Sequence, residues 1–397
     1  MKVLEFRCLN GLRALAATAV ITTHVGFQTG TTARGGAFAA VLSRFDFGVA
    51  LFFVLSGFLL TRPYLAAAES GRPGPDLRRY LWKRCLRILP TYWLTVAAAF
   101  ALVPETRRLS PGARIQEVTL TQNYSRPPAL APNLTQMWSL AVEAAFYLAL
   151  PALAWLLTRV VAGGRWQPRR LTAGSAVLIC LAPVWLGGIR LADDPTAAML
   201  ALWLPAFLSW FGAGMALAVI SVEVRSRASS WSQAVNRLAR DASTWWLGAI
   251  ALFAIAATPV GGPWLLQFPS GGAAIAKNLL YGAAAACLVL PLVLGDSERG
   301  LIRGLLAHPV ANYLGELSYV MFCIHLIVIR YVYSGLDVEL FQGRFGTVWL
   351  LTMAGTIAWS ALIYRYVETP LRRFRTAGTR SDAPDVSTAA TETIAAT

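Results

Sequence analysis

Charged residues are scarce in this chain. Asp, Glu, Lys and Arg make up 14% of its 397 residues, whereas about 25% is usual in soluble domains. Hydrophobic residues make up 56% of the chain, and its mean hydropathy is +0.53. So much apolar surface cannot be hidden in one aqueous core. The composition therefore excludes most soluble folds and predicts a chain that lies in a lipid bilayer.

Motifs for metals, disulfides and soluble acyl transfer are also missing. The sequence has no HExxH motif and no cluster of His and Cys, so we expect no metal cofactor. It has no GxSxG motif, and none of its three histidines stands in an H-x4-D motif. The five cysteines are scattered without a CxxC pair and predict no disulfide framework; they are Cys8, Cys85, Cys180, Cys287 and Cys323.

The formal net charge of +15 does not indicate nucleic-acid binding. Membrane-length apolar segments interrupt the basic residues, so we interpret those residues first as topology signals. An amino terminus in the cytoplasm puts most of the Lys and Arg residues on the cytoplasmic side, as the positive-inside rule requires. Lys277 is left inside a span.

Apolar windows of membrane-spanning length predict about ten transmembrane helices. An even number of spans places both termini in the cytoplasm, so the expected fold is an all-α polytopic membrane protein of the cell membrane. We expect a transmembrane domain over 1–376 and a disordered cytoplasmic tail over 377–397, which is rich in Ala, Thr and Ser. The windows are 9–28, 47–67, 86–103, 136–158, 172–189, 197–221, 244–258, 272–294, 309–332 and 347–367.

Polar side chains inside these windows are candidate functional groups, because charge in a lipid span is costly. Arg13 and His24 are eleven residues apart, which is about three helical turns, so they share one face about 16 Å apart. In the alternative, non-functional interpretation, Arg13 extends to the lipid headgroups on the cytoplasmic side and His24 forms a hydrogen bond to a neighbouring carbonyl group. The helical rise of about 1.5 Å per residue predicts a similar depth in the membrane for four side chains: His24, Ser56, Glu143 and His325. The same calculation places four arginines at the cytoplasmic face: Arg13, Arg84, Arg87 and Arg365.

Each member of these two sets also has a simpler interpretation. Ser56 and Gly57 could serve close helix packing, and the basic residues around Arg84 and Arg87 could anchor a helix to anionic headgroups. The functional hypothesis is a neutral His24 that acts as general base, with Glu143 orienting its ring. Ser56 and His325 would assist this base, and the arginines would bind the phosphates of a soluble cofactor.

Six segments, in order, resemble landmarks of the acyltransferase 3 family of integral membrane O-acyltransferases. They are the R-x10-H pair of Arg13 and His24, FFVLSGFLL, RxxR followed by ILPTYW, MWSLAVEAAFY, YVMFCIH and YRYVETP. The resemblance implies transfer of an acyl group from a cytosolic thioester, usually acetyl-CoA. The implied acceptor is a hydroxyl of a sugar, an envelope glycan or a lipophilic small molecule such as a macrolide.

Two other classes of function stay open at this point. Buried His, Glu and Arg side chains also build proton relays, so a polytopic membrane transporter is the alternative; a non-catalytic membrane scaffold is the third. The sequence leaves open the acceptor, the length of the acyl group, direct transfer or an acyl-enzyme, the oligomeric state and the need for a partner protein.

Overall fold

The computed structural model describes residues 3–226, 230–264, 271–294 and 300–376. The predicted tail, 377–397, lies outside the described residues. Within the described part the secondary structure is helical and contains no strand. The all-α polytopic fold predicted from the sequence is thereby confirmed.

In the described part of the chain, ten helices of at least 15 residues form the bundle, and each of the ten predicted windows falls largely on one of them. They are α1 (Val3–Gln28), α2 (Phe47–Glu69), α3 (Leu77–Leu102), α4 (Trp138–Trp155), α5 (Pro168–Gly188), α6 (Leu208–Ser226), α7 (Ala242–Ala256), α8 (Gly271–Leu294), α9 (Pro309–Leu336) and α10 (Phe345–Ile363). Eight of the ten are long and apolar enough to cross a membrane. The other two are α1, which is 26 residues long and carries Arg13 and His24, and α7, which has 15 residues.

Shorter helices lie between these elements: Gly36–Ser43, Pro111–Val118, Asp194–Leu200, Ser230–Arg240 and Leu301–Ala307; another, Thr369–Thr376, follows α10. In the bundle α1 packs along α9 and α2 along α6, and α1 also contacts α2.

Two helix boundaries differ from the prediction for identifiable reasons. Asp76 caps α3, since its side chain accepts a hydrogen bond from the Arg79 amide at 2.8 Å, so the basic run before residue 86 is helical. Pro205 lies in a separate 3-10 turn, Leu204–Phe207, and α6 therefore begins at Leu208 rather than at 197.

A close helix approach in the centre of the bundle depends on two glycines. A Cβ atom at Gly57 of α2 would lie 2.3 Å from the carbonyl oxygen of Phe211, and one at Gly214 of α6 would lie 2.1 Å from that of Val54. Either contact would push the helices apart. This approach holds Ser56, next to Gly57, at a fixed depth inside the bundle.

We expect Gly214→Ala to destabilise the folded protein by about 1–3 kcal/mol, because the added methyl group overpacks a rigid backbone contact. The thermal unfolding midpoint of purified protein in lipid nanodiscs measures this. Gly187→Ala is the matched control, because that helical glycine has open space around its Cβ position. Equal midpoints for the two variants would contradict the packing argument.

Candidate functional site

His24 lies in the last turns of α1, and its ring is held by the backbone. Its Nδ1 is 2.8 Å from the carbonyl oxygen of Val20. A carbonyl oxygen only accepts, so Nδ1 carries the proton and donates it, and the lone pair stays on Nε2. This tautomer is the one that a general base needs.

His325 packs against His24 from α9. The two ring centroids are 5.0 Å apart and the ring planes are inclined at 62°. His325 is fully buried, and its Nδ1 donates to the carbonyl oxygen of Phe322 at 2.7 Å. Its Nε2 has no hydrogen-bond partner within the described part of the chain. The structure thus brings together the two histidines that the sequence placed at one depth.

A cavity of about 400 Å³, which we call the histidine cavity, is lined by His24. Aromatic rings of Trp138, Phe207 and Trp210 form much of its wall. Asp46 and Lys277 are its only charged side chains among the described residues, and they contact each other at 2.6 Å. His325 itself lines neither this cavity nor the next one.

A second cavity of about 270 Å³, the arginine cavity, is lined by Arg13, Arg84 and Arg87. Arg84 lies over the Tyr147 ring at 5.8 Å, and Arg87 lies over the Tyr319 ring at 5.5 Å. Such contacts stabilise a guanidinium group that is partly removed from water. Three of the four arginines predicted at this end of the bundle therefore share one cavity.

Arg365 is the exception. The structure places it in a π-helical turn, Tyr364–Glu368, with its side chain exposed and outside both cavities. The same turn directs Glu368 inward, where it is 2% exposed. There its carboxylate accepts a hydrogen bond from Arg87 at 2.5 Å and one from the Thr91 hydroxyl at 3.2 Å.

Glu143 does not contact His24, contrary to the sequence-based expectation. Its Oε1 accepts hydrogen bonds from Ser56 at 2.5 Å and from Tyr147 at 2.7 Å, and all three residues line the arginine cavity. Glu143 and Ser56 do lie at one depth, but helix rotation turns them toward the arginines. The acidic side chain that shares a cavity with His24 is Asp46.

The two cavities are adjacent. Val49 of α2 and Phe322 of α9 line both, so these two side chains form the partition between the arginine cavity and the histidine cavity. Groups bound in the two cavities would lie on opposite sides of this partition.

One loop at the rim of the histidine cavity is fixed by a buried carboxyl group. Glu117, in the connecting helix Pro111–Val118, accepts a hydrogen bond from the Ala131 amide at 2.8 Å and is fully buried. Burial raises the pKa of Glu117 to about 7. Its bond to Ala131 holds the segment that carries Leu130 into the cavity wall.

Sequence reasoning missed several residues of these sites. Lys277 was visible as a charge inside an apolar window, but its partner Asp46 is 231 residues away, so the pair could not be found from spacing. Tyr147 stands four residues after Glu143 on the same helix face, which is a signal that could have been used. Glu368 stands in the YRYVETP landmark, but its partner Arg87 is 281 residues away and could not be found from spacing.

Comparison with known proteins decides the family. The acyltransferase domain model of the acyltransferase 3 family matches residues 6–365. The chain belongs to the acyltransferase 3 family. It is an O-acyltransferase and a multi-pass membrane protein, so the sequence-based resemblance is confirmed and the transporter and scaffold alternatives fall away.

Individual relatives share about a quarter of their residues with the chain. Acyltransferase MdmB of Streptomyces mycarofaciens is 25% identical over 94% of this chain and 93% of its own length. Exopolysaccharide production protein ExoZ of Rhizobium meliloti is 26% identical over 82% of this chain and 89% of its own. Peptidoglycan O-acetyltransferase OatA of Listeria monocytogenes is 24% identical over 92% of this chain, which spans only 55% of that protein. No solved structure matches the chain significantly.

The ion pair between Arg87 and Glu368 should be a main contributor to stability at the arginine cavity. Glu368→Gln leaves a guanidinium charge uncompensated inside the bundle, and we expect it to lower the free energy of unfolding by about 3 kcal/mol. The double variant Arg87→Gln/Glu368→Gln should recover part of that loss. Thermal unfolding in nanodiscs measures both.

Glu105→Gln is the matched control for this experiment. Glu105 pairs with Arg330 at 3.0 Å, but both side chains are substantially exposed, so little stability should depend on the pair. A loss as large for Glu105→Gln as for Glu368→Gln would show that burial is not what makes the Arg87 pair important.

Proposed function

We propose that the protein transfers an acyl group, usually acetyl, from acyl-CoA bound at the arginine cavity to a hydroxyl group bound in the histidine cavity. The observation that carries the proposal is the shared partition: Val49 and Phe322 line both cavities, so a rotation of these two side chains would bring donor and acceptor into contact. In this proposal the arginine cavity faces the cytoplasm, as the positive-inside rule predicts.

The arginine cavity suits the thioester arm of an anionic donor. The Glu368 carboxylate compensates Arg87, whereas Nε of Arg13 and Nε of Arg84 have no hydrogen-bond partner among the described residues. A volume of about 270 Å³ is below the range of about 300–1,000 Å³ typical of cofactor sites. The arm would therefore enter, and the nucleotide would remain outside near Arg78 and Lys83 at the start of α3.

Ser56, Glu143 and Tyr147 shape the donor site in this proposal. Both hydroxyl groups donate to the same carboxylate oxygen. Because both hydroxyl protons are used in these hydrogen bonds, they are not available to the thioester. The guanidinium groups are the donors that would stabilise negative charge on the thioester carbonyl oxygen. Glu143 also offsets part of the positive charge of the cavity. We assign Ser56 and Glu143 positioning roles on the donor side.

His24 supplies the base on the acceptor side. Its unprotonated Nε2 takes the proton from the acceptor hydroxyl as the hydroxyl oxygen attacks the thioester carbonyl carbon. The carbon–sulfur bond breaks, an ester forms, and the proton passes from His24 to the departing sulfur, which leaves as the CoA thiol. His325 supports the His24 ring from behind and limits its rotation.

We expect His24→Ala to lower acyl transfer about 10²- to 10⁴-fold, the range usual for loss of a general base. Mass spectrometry of envelope glycans and secreted metabolites, in a deletion strain complemented with each variant, measures the restored acyl increment. His308→Ala is the control, because that histidine is exposed at the start of α9. Turnover by His24→Ala within about tenfold of wild type would remove His24 from the base role.

We expect Arg84→Ala to weaken donor binding at least about tenfold, since a hydrogen bond to a charged group contributes about 1.5–3 kcal/mol. Equilibrium binding of acetyl-CoA to protein in nanodiscs measures the dissociation constant without any acceptor. Arg165→Ala removes an exposed arginine outside both cavities and should bind as wild type does. An unchanged dissociation constant for Arg84→Ala would leave the arginines as lipid anchors.

A further inference from the structure

The ion pair in the histidine cavity has no role in the transfer chemistry described so far. Lys277 of α8 donates to Asp46 Oδ2 at 2.6 Å, and the Tyr281 hydroxyl donates to Asp46 Oδ1 at 2.5 Å. The Lys277 ammonium also lies 5.3 Å from the centre of the Tyr281 ring. Asp46 and Lys277 are half-buried and both line the cavity that contains His24.

Hydrogen-bonding capacity is left over on both members of the pair. An ammonium group has three donors, and Lys277 uses one of them on Asp46. A carboxylate has about four acceptor positions, and Asp46 fills two, one on each oxygen. The pair can therefore donate to one ligand oxygen and accept from a neighbouring hydroxyl. Two adjacent hydroxyl groups, as on a sugar ring, match that arrangement.

Two neighbouring polar side chains are already partly engaged. The Asn278 side chain accepts from the Ser209 hydroxyl and donates to the Ala206 carbonyl at 2.9 Å. The Gln136 amide nitrogen donates to the Cys323 carbonyl at 2.8 Å, whereas Gln136 Oε1 has no hydrogen-bond partner among the described residues. The polar contacts that remain for a ligand come mainly from Asp46, Lys277, His24 and Gln136 Oε1.

Charge and shape narrow the ligand class further. Asp46 and Lys277 cancel each other, and no other Asp, Glu, Lys or Arg among the described residues lines this cavity. A ligand that carries a net charge would find no counter-charge there. The walls of Trp138, Phe207 and Trp210 offer apolar faces to the C–H face of a ring whose edge carries hydroxyl groups.

We propose that Asp46 and Lys277 form an acceptor subsite for adjacent hydroxyl groups of a neutral sugar ring, which presents a further hydroxyl to His24. The assignment of the acceptor to this cavity rests on the proposed function. The subsite itself makes a separate claim about binding, which does not require turnover.

The first measurement is equilibrium binding to the full chain in nanodiscs. The probes are tritiated phenyl β-D-glucoside, β-D-galactoside and β-D-mannoside, with 2-phenoxyethanol as a probe that keeps the aryl ring but has a single hydroxyl group. We expect wild type to bind at least one glycoside and Lys277→Met to weaken that binding at least about tenfold, or 1.4 kcal/mol. Binding of 2-phenoxyethanol should change less than about twofold. Phenyl β-D-glucuronide, which is anionic, should bind wild type more weakly than phenyl β-D-glucoside.

Matched variants separate loss of the subsite from loss of the fold. Lys277→Met leaves the Asp46 charge unpaired, so the double variant Asp46→Asn/Lys277→Met, which removes both charges, is measured alongside it and should show the same loss of glycoside binding. Lys277→Arg keeps the charge and the donors and should retain more binding than Lys277→Met. Val184→Ala, at a position 70% exposed on α5, is the control for substitution itself.

The second measurement is acetyl transfer to the glycoside that binds, followed by release of CoA thiol. We expect the double variant to raise KM for the glycoside about tenfold and to leave kcat within about threefold. A fall in kcat at unchanged KM would show that the pair acts on His24 rather than on the acceptor, and would overturn the subsite.

The two proposals fail in different ways. If wild type binds no glycoside, or if all variants bind glycosides equally, the subsite is wrong even when acetyl transfer to other alcohols proceeds. If glycoside binding depends on Lys277 but acetyl-CoA neither binds nor reacts, the subsite stands and the proposed donor function fails.

Discussion

A charge inside this bundle is stable only next to an opposite charge or a hydrogen-bonding group, and that constraint determines both cavities. Among the described residues, Arg87 of the arginine cavity pairs with Glu368, and Lys277 and Asp46, which both line the histidine cavity, pair with each other. Breaking either pair would leave an uncompensated charge in a medium of low polarity. The pairs therefore fix the walls, and the polar capacity that they leave unused is what a substrate meets.

The same constraint determines the tautomer of His24, the residue that we propose as the base. A helix interior offers His24 a backbone carbonyl group four residues earlier, and the ring donates to it. Since that bond consumes the Nδ1 proton, the remaining nitrogen is a base without help from a carboxylate. Glu143 instead accepts hydrogen bonds from Ser56 and Tyr147 at the arginine cavity, which is the proposed donor side. The arrangement differs from a hydrolase triad, in which an acidic residue orients the histidine.

Sequence reasoning identified the fold, the family and most of the polar residues, because hydropathy and helical rise depend only on local spacing. Depth arithmetic correctly predicted that Ser56 and Glu143 lie level. It could not determine how each helix is rotated about its axis, so it paired Glu143 with His24 rather than with Ser56. Asp46 escaped notice because it precedes its helix and its partner lies far away in the chain. The inward turn of Glu368 depends on a local π-helical distortion at Tyr364–Glu368 that periodicity does not reveal.

The family landmarks supply the polar lining of the arginine cavity, whereas in the histidine cavity they supply His24 but not the ion pair. The segments by which the family is recognisable here supply the arginine cavity: Arg13, Ser56, Arg84, Arg87, Glu143 and the Arg87 partner Glu368. Asp46 and Lys277 lie outside all of those segments. If the proposed assignment holds, a change at either position alters what the histidine cavity binds and does not touch the arginine cavity, since neither residue lines that cavity. Such a bundle would keep one donor chemistry while its acceptor changes.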